Sequence, residues 1–244
     1  MHTHAAGQFS LAMMLVLGLA TACRKAGPEP APPSQTLEYT FTTGPDGWEP
    51  GFSDYPANLT VADSLGLYSL AYGWSPMPAS IVPARSGIRM RGTNRSDDLF
   101  MYIRKRLTGL APATDYRISF EVDIASNAPT NAVGIGGPPG EAVTVKAGAS
   151  AYPPQSVRDA QGWWRMNIDK GNQSVGGGDM QSIGHIGVSD TTRVHAIIRR
   201  ATRSPQIRKS SAAGELWLIV GTDSGYEGAT EIWWGRVRAV LERN

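Results

Sequence analysis

The chain has 244 residues, of which 41% are hydrophobic and 18% charged, and its formal net charge at pH 7 is +2. These proportions exclude a disordered chain and a multi-span membrane protein. The positive excess is weak, and the basic cluster at residues 199–209 has no interleaved aromatic side chains. The charge therefore does not favour a nucleic-acid partner. A single cysteine excludes a disulfide within this sequence, and 28 glycines with 17 prolines favour an all-β domain rich in turns.

An apolar run at residues 11–22 ends in small residues directly before Cys23. A membrane-spanning helix needs about 20 residues, so this shorter run is typical of a signal-peptide core. The segment Leu19-Ala20-Thr21-Ala22-Cys23 resembles a bacterial lipobox. That resemblance implies cleavage before Cys23, acylation of this residue (palmitate among the acyl groups) and an extracytoplasmic membrane anchor. Arg24, where some lipoproteins carry aspartate, favours the outer membrane. The alternative is a plain secretory signal in which the cysteine is incidental.

The segment after the cysteine, residues 24–35, is rich in proline, alanine and polar residues and has no apolar periodicity. Such a composition is typical of an extended spacer between an anchor and a domain. We therefore divide the chain into a signal peptide (1–22), a lipidated cysteine with its linker (23–35) and a single β-sandwich domain (36–244).

Nine short segments have the alternation or the β-rich composition of strands. They are residues 37–42, 66–72, 88–91, 99–104, 116–124, 142–146, 193–199, 215–220 and 232–241. The clearest is 116–124, in which apolar residues alternate with polar ones, as in a sheet with one buried face. No stretch has a useful helical periodicity. The pattern predicts an all-β, two-sheet antiparallel sandwich of the jelly-roll type.

Three stretches resemble the galactose-binding-like jelly rolls of many carbohydrate-binding modules. They are FTTGPDGWEPGF (41–52), LTGLAPATDYRISFEVDI (107–124) and EGATEIWWGRVRAVLE (227–242). This resemblance implies a non-catalytic domain that binds carbohydrate. Those modules often carry a calcium-binding aspartate in the last strand, where this chain has Trp234-Gly235-Arg236 instead. The chain is also similar to a group of uncharacterised bacterial lipoproteins.

Motifs of common enzymes are missing from the sequence, which has no HExxH, no G-x-S-x-G and no P-loop. The glycine-rich segment 134–140 contains two prolines without amide donors, which favours a turn over a phosphate cradle. His195 is expected to be structural and His185 to lie at the surface. A non-enzymatic role is therefore favoured, although the sequence leaves catalysis open.

Three loops rich in side-chain oxygens are the main candidates for ligand binding, because Asp, Asn and Gln oxygens suit sugar hydroxyls and Ca²⁺. The first loop is 94–98, the second 167–179 and the third 221–228. The candidate residues in them are Asn94, Arg95, Asp97, Asp98, Asn167, Asp169, Lys170, Asn172, Asp223, Tyr226 and Glu227. Candidate calcium ligands are Asp169, Asp179 and Asp223. The alternative is that these residues form turns by capping backbone groups.

Aromatic side chains are the second signal, since exposed rings stack on pyranose rings. Among the 7 tryptophans we expect Trp217 to be in the core and one member of each adjacent pair, 163–164 and 233–234, to be exposed. The aromatic candidates for ligand contact are Trp48, Tyr55, Trp74 and Trp163. Core and interface packing is the alternative for each of them.

The sequence thus leaves three functions open. The first is a lipid-anchored, non-catalytic sandwich that binds carbohydrate or another polar ligand. The second is a glycan-active hydrolase or lyase that uses carboxylates such as Asp169, Asp223 and Glu227. The third is a structural or assembly lipoprotein of the cell envelope with a protein partner.

Overall fold

A computed structural model describes residues 1–2, 34–189 and 193–244. The described residues from 34 to 244 belong to one compact unit. Cys23 and nearly all of the predicted signal peptide and linker lie outside the described residues. In the part of the chain that is described, no helix has the length and apolar content needed to cross a bilayer.

The domain contains fifteen strands and one short helix within the described residues. In chain order they are β1 (Ser34–Tyr39), β2 (Glu49–Ser53), β3 (Tyr55–Pro56), α1 (Val61–Leu67), β4 (Ala71–Pro76), β5 (Ser86–Thr93), β6 (Leu99–Leu107), β7 (Asp115–Ser126), β8 (Val143–Ser150), β9 (Ser156–Arg158), β10 (Trp163–Met166), β11 (Met180–His185), β12 (Ala196–Ala201), β13 (Gln206–Lys209), β14 (Leu216–Ser224) and β15 (Ala229–Arg243).

Two main sheets form the sandwich, and all of their strand pairs are antiparallel. The seven-stranded sheet has the order β12-β7-β15-β5-β4, with β1 beside β15 and β13 beside β7. The five-stranded sheet has the order β11-β8-β14-β6-β2, and a three-stranded sheet has the order β3-β10-β9. This architecture confirms the predicted all-β, two-sheet antiparallel sandwich.

The core lies between the two main sheets and follows from side-chain alternation. In β7, Tyr116, Ile118, Phe120, Val122 and Ile124 are all less than 9% exposed and belong to one apolar cluster. Full burial of such a side chain contributes about 1.5–3 kcal/mol. The alternation predicted for residues 116–124 is therefore confirmed, and its inward face anchors the seven-stranded sheet.

The five-stranded sheet is covered on both faces, and this second cover positions the site. All eight residues of β8 are buried, although only alternate ones face the core. Ile168 and Met166 pack on Phe100, Tyr102 and Ile219 of the outer face. The segment that follows β8 thus folds back over the sheet, and polar side chains on its outer face become buried.

Residues 66–72, predicted as a strand, are not one. A helix, α1, occupies Val61–Leu67 and starts at a capping box in which Thr60 and Asp63 bond each other's backbone amides. The strand β4 begins only at Ala71. The capping box is a local helix signal that outweighs the loose alternation of this segment.

Two expectations for tryptophans also fail. Trp233 and Trp234 are both buried, since Met77 and Ile81 pack over the outer face of the seven-stranded sheet and cover Trp233. Trp217 lies on the outer face of the five-stranded sheet, half-buried, with the guanidinium of Arg104 5.2 Å from its ring centre. The second covering layer, which alternation does not reveal, explains the burial of Trp233, whereas Trp217 alternates with the inward-facing Leu216 and Leu218.

Candidate functional site

The three polar loops predicted from the sequence meet at one end of the five-stranded sheet. Asn94 Nδ2 donates to the carbonyl of Ser224 at 2.7 Å, which joins the first loop to the third. Gln173 Nε2 donates to the carbonyl of Asp97 at 2.8 Å, which joins the second loop to the first. The end of the sheet therefore carries side chains from separate parts of the chain within one small volume.

Beneath these loops lies a buried pair of charges. Lys146 in β8 and Asp223 in β14 are fully buried, with Nζ and Oδ2 2.7 Å apart. The same ammonium donates to the carbonyls of Lys170 at 2.8 Å and Val175 at 2.9 Å. With its three donors all used, Lys146 fixes the second loop to the sheet.

Lys170 links this pair to the surface. Its ammonium lies 2.8 Å from Asp223 Oδ2, 3.1 Å from Asp54 Oδ2 and 3.6 Å from Asp98 Oδ1. Asp54 follows β2 and Asp98 precedes β6, so two neighbouring strands supply these carboxylates. A buried charge is stable only when it is paired and hydrogen-bonded, and this alternation of charges meets that condition.

Arg165 in β10 forms the exposed end of the cluster. Its guanidinium donates to Asp54 Oδ1 at 2.8 Å and lies 3.4 Å from Asp98 Oδ2. It also stands 4.9 Å from the ring centre of Trp163, a distance suited to a cation–π contact. Its side chain is 39% exposed, so solvent reaches the guanidinium.

These groups line an open cleft of about 380 Å³. Its walls are Asp54, Asp98, Arg165, Met166, Ile168, Asp169, Lys170, Gly171 and Asn172. This volume falls in the range usual for small-molecule sites. The lining is unusual in its high proportion of charged and amide groups.

Burial and charge act strongly on the groups of this cleft. Burial, with the nearby carboxylate of Asp223 as the next cause, raises the pKa of Asp98 to about 7. Burial lowers the pKa of Lys146. Burial opposes the charge of Lys170 too, but the carboxylates of Asp223, Asp54 and Asp98 outweigh it and raise the pKa of Lys170.

A metal site would need the same carboxylates. Within the described residues, the acids close enough to share an ion are Asp54, Asp98 and Asp223. The ammonium of Lys170 already lies among them. The carboxylate of Asp169, a predicted calcium ligand, instead accepts from the amides of Gly171 at 3.1 Å and Gly178 at 2.6 Å.

The sequence-predicted residues divide into those at the cleft and those away from it. Asp98, Asp169, Lys170 and Asn172 line the cleft, Trp163 lies under Arg165, and Asp223 is buried beneath it. Arg95, Asp97 and Glu227 are exposed, Tyr55 and Tyr226 are half-buried against the core, and Trp74 is exposed on the edge strand β4.

Three other candidates make contacts within the protein that fix the core or the loops. Trp48 is 3% exposed and packs edge-on against Tyr39 and Phe41 in the core. Asn94 is buried and ties two loops together. Asn167 accepts from the amide of Gln155 and donates to the carbonyl of Pro153, so its amide braces the covering segment.

Sequence reasoning missed Asp54, Arg165 and Lys146. Lys146 occupies the polar position of an alternating strand, which ordinarily faces water. Arg165 stands alone between Trp164 and Met166, and Asp54 stands between Ser53 and Tyr55, outside the three polar loops. The available signal for Arg165 was its place two residues after Trp163, which puts both side chains on one face of a strand.

No protein-family model and no curated protein matches this chain. Among solved structures, it is similar to the carbohydrate-binding module TmCBM27, described for specific mannan recognition, with 11% identity, a TM-score of 0.41 and coverage of 87% of this chain and 99% of that one. It is similar to the enzymatically active domain of tailspike protein 4 of bacteriophage CBA120, with 8% identity, a TM-score of 0.36 and coverage of 82% of this chain and 20% of that one. The chain thus spans a fifth of the length of that tailspike chain.

A third similar structure is the Stig cyclase Fisc from Fischerella sp. TAU, with 12% identity, a TM-score of 0.36 and coverage of 86% of this chain and 89% of that one. Carbohydrate-binding modules of the β-sandwich type are thus among the structural neighbours, together with enzymes. Likeness at this level concerns the fold, whereas function depends on the chemistry of the site.

Proposed function

We propose that this protein is an extracytoplasmic lipoprotein, tethered to a membrane through Cys23, whose sandwich binds carbohydrate in the cleft. One observation carries the binding proposal: hydrogen-bond donors and acceptors alternate along the cleft wall. The donors are on Arg165, Lys170 and Asn172, and the acceptors are on Asp54 and Asp98.

This alternation suits a polyol because each sugar hydroxyl donates one hydrogen bond and accepts others. Hydrogen bonds to ionised side chains are about twice as strong as neutral ones. The charged groups are held by one another at 2.8–3.6 Å, so a ligand meets side chains that are already oriented. The Trp163 ring below Arg165 adds an apolar surface beside the polar wall.

A glycan array of cell-wall and plant polysaccharides tests the proposal. The wild-type domain is expected to bind a small set of glycans. Arg165→Ala is expected to lose that binding by about tenfold or more, since it removes an exposed donor and the partner of two carboxylates. Arg158→Ala, on the exposed side of the adjacent strand β9, is the matched control and should bind as the wild type does. Absence of binding to every glycan overturns the proposal.

The tether has its own test. An acyl chain contributes about 0.8 kcal/mol per buried CH₂ group, so a multiply acylated Cys23 would hold the protein at a membrane. Labelled palmitate is expected to join the full-length protein and to be lost in Cys23→Ser, which should move to the soluble fraction. Equal fractionation of the two proteins, without label in either, refutes the tether.

A second candidate, hydrolysis or lysis of a glycan, is favoured by one observation. The raised pKa of Asp98, about 7, suits a group that donates a proton near neutral pH, and Asp54 lies beside it. Of the carboxylates expected from the sequence, Asp223 does not face this cleft, because it is fully buried between two lysines. Product release from a bound glycan, absent in Asp98→Asn, would favour this function over simple binding.

A further inference from the structure

A second cavity of about 360 Å³ lies on the other side of the loop that borders the first cleft. It is lined by Glu141 and Thr144, by Gln173, Ser174 and Gly225, and by the glycine-rich turn at 136–138. None of these residues belongs to the wall of the cleft proposed to bind carbohydrate. The first cleft and the second cavity are therefore separate spaces on either side of this loop.

Strand register gives the distance between the two spaces. Thr144, Asp223, Phe100 and Ser53 lie opposite one another on β8, β14, β6 and β2, in one row across the sheet. Neighbouring strands are about 4.7–4.9 Å apart, so three steps span about 14 Å. Thr144 lines the second cavity, and Asp54, next to Ser53, lines the first. The spaces therefore lie at the two ends of this row, farther apart than one sugar ring extends.

The loop between them is a short, well-braced strap, which we define as residues 172–174. Asn172 lines the first cleft, whereas Gln173 and Ser174 line the second cavity, so their walls meet within one residue. Gln173 has a φ of 46°, a conformation that is unfavourable for a non-glycine residue, and its side chain donates a hydrogen bond to the carbonyl of Asp97. Lys146 holds the carbonyls on either side of the strap from below.

The upper surface of the strap is open to solvent. Asn172 and Ser174 are exposed, and both present polar side chains. A ligand that occupies both cavities would cross these residues and would not have to displace the buried lysines beneath. A strained residue held in place at such a position is typical of a functional surface.

We propose that the two cavities and the strap form one groove, and that the ligand is a linear oligosaccharide that spans it. This inference rests on the proposed carbohydrate-binding function and specifies the length of the ligand. Affinity then rises with chain length until both cavities are filled, because each added sugar in the groove contributes contacts without a second loss of translational freedom.

The test is a length series of the glycan identified on the array, from the monosaccharide to the hexasaccharide, titrated by calorimetry into the domain. The hexasaccharide is expected to bind at least about tenfold tighter than the monosaccharide. Ser174→Trp, which fills the second cavity from an exposed position, should remove this gain, so that the hexasaccharide binds no tighter than the monosaccharide. Ser204→Trp, at an exposed position away from both cavities, is the matched control and should keep the gain.

The outcomes separate the two proposals. Equal affinity for all lengths, or an undiminished gain in Ser174→Trp, overturns the groove and leaves binding at the first cleft standing. No binding at any length overturns the proposed function and the groove together. A gain with length that Ser174→Trp abolishes supports both.

Discussion

Replacement of Asp98 by asparagine is expected to make the protein more stable at alkaline pH and to leave it nearly unchanged only below about pH 4, where Asp98 is protonated in both the folded and the unfolded chain. The pKa of Asp98 lies at about 7, against an ordinary value of 3.8, chiefly because the carboxyl is buried and next because it lies beside Asp223. The folded protein therefore keeps this proton between about pH 4 and 7, where the unfolded chain has lost it. Unfolding releases a proton across that window, so stability falls as the pH rises through it and then levels off.

The magnitude follows from the size of the shift. Each pKa unit corresponds to 1.36 kcal/mol, which sets a ceiling of about 4 kcal/mol for the cost of ionising Asp98 in the folded state. The side chain is 22% exposed and lies near Lys170, so rearrangement can relieve part of this cost. We expect Asp98→Asn to exceed the wild type by about 2–4 kcal/mol at pH 9.

Urea unfolding at several pH values between 5 and 9 measures this difference, with stability obtained by linear extrapolation. Groups remote from Asp98 titrate alike in both proteins and cancel. Asp97→Asn, at the exposed neighbouring position, is the control and should follow the wild-type curve. Parallel curves for wild type and Asp98→Asn, separated by less than about 0.5 kcal/mol throughout, would refute the assignment of a retained proton.

Three further predictions concern stability. Lys146→Met leaves the buried Asp223 with one cation instead of two, and it should lower the free energy of unfolding in urea by about 3 kcal/mol. Lys209→Met, at an exposed position, is the control and should cost little, and a loss below about 1 kcal/mol for Lys146→Met would contradict the prediction. Gly171→Ala should lower the melting temperature, because the φ of Gly171 is +72° and the new Cβ would lie 2.2 Å from the carbonyl oxygen of Val175. Gly66→Ala in α1 is the control and should leave it unchanged, and equal melting temperatures for the two variants would count against a strained turn at Gly171. A calcium chelator should leave the melting temperature unchanged, because the ammonium of Lys170 already lies among the carboxylates of Asp54, Asp98 and Asp223. A lower melting temperature with the chelator would instead support a bound calcium ion.

The fold was largely predictable because its signal is local. Alternation in residues 116–124 indicates one buried face, and β7 has that face in the core. The failures arise where a second layer covers a sheet. Trp217 and Trp233 belong to outer faces, and only the segments packed over those faces determine their burial.

The site was predictable in part, because its polar loops are local features of the sequence. Polar loops indicated Asp98, Lys170 and Asp223, and the fold brings these three together. Lys146 and Arg165 were missed because their partners are distant in sequence, 77 residues away for Lys146–Asp223 and 111 residues away for Arg165–Asp54. A pairing over such a separation leaves no local pattern, so only the folded chain reveals it.

The most direct test of the central claim is an NMR titration of the domain with the glycan selected on the array. If the cleft binds carbohydrate, the indole N–H of Trp163 and the backbone amides of residues 170–174 shift with increasing ligand, while the indole of Trp74, 44% exposed on the edge strand, stays in place. Ligand-dependent shifts at Trp74 and Tyr72, with the cleft residues unmoved, would contradict the claim and move the binding surface to the edge of the seven-stranded sheet.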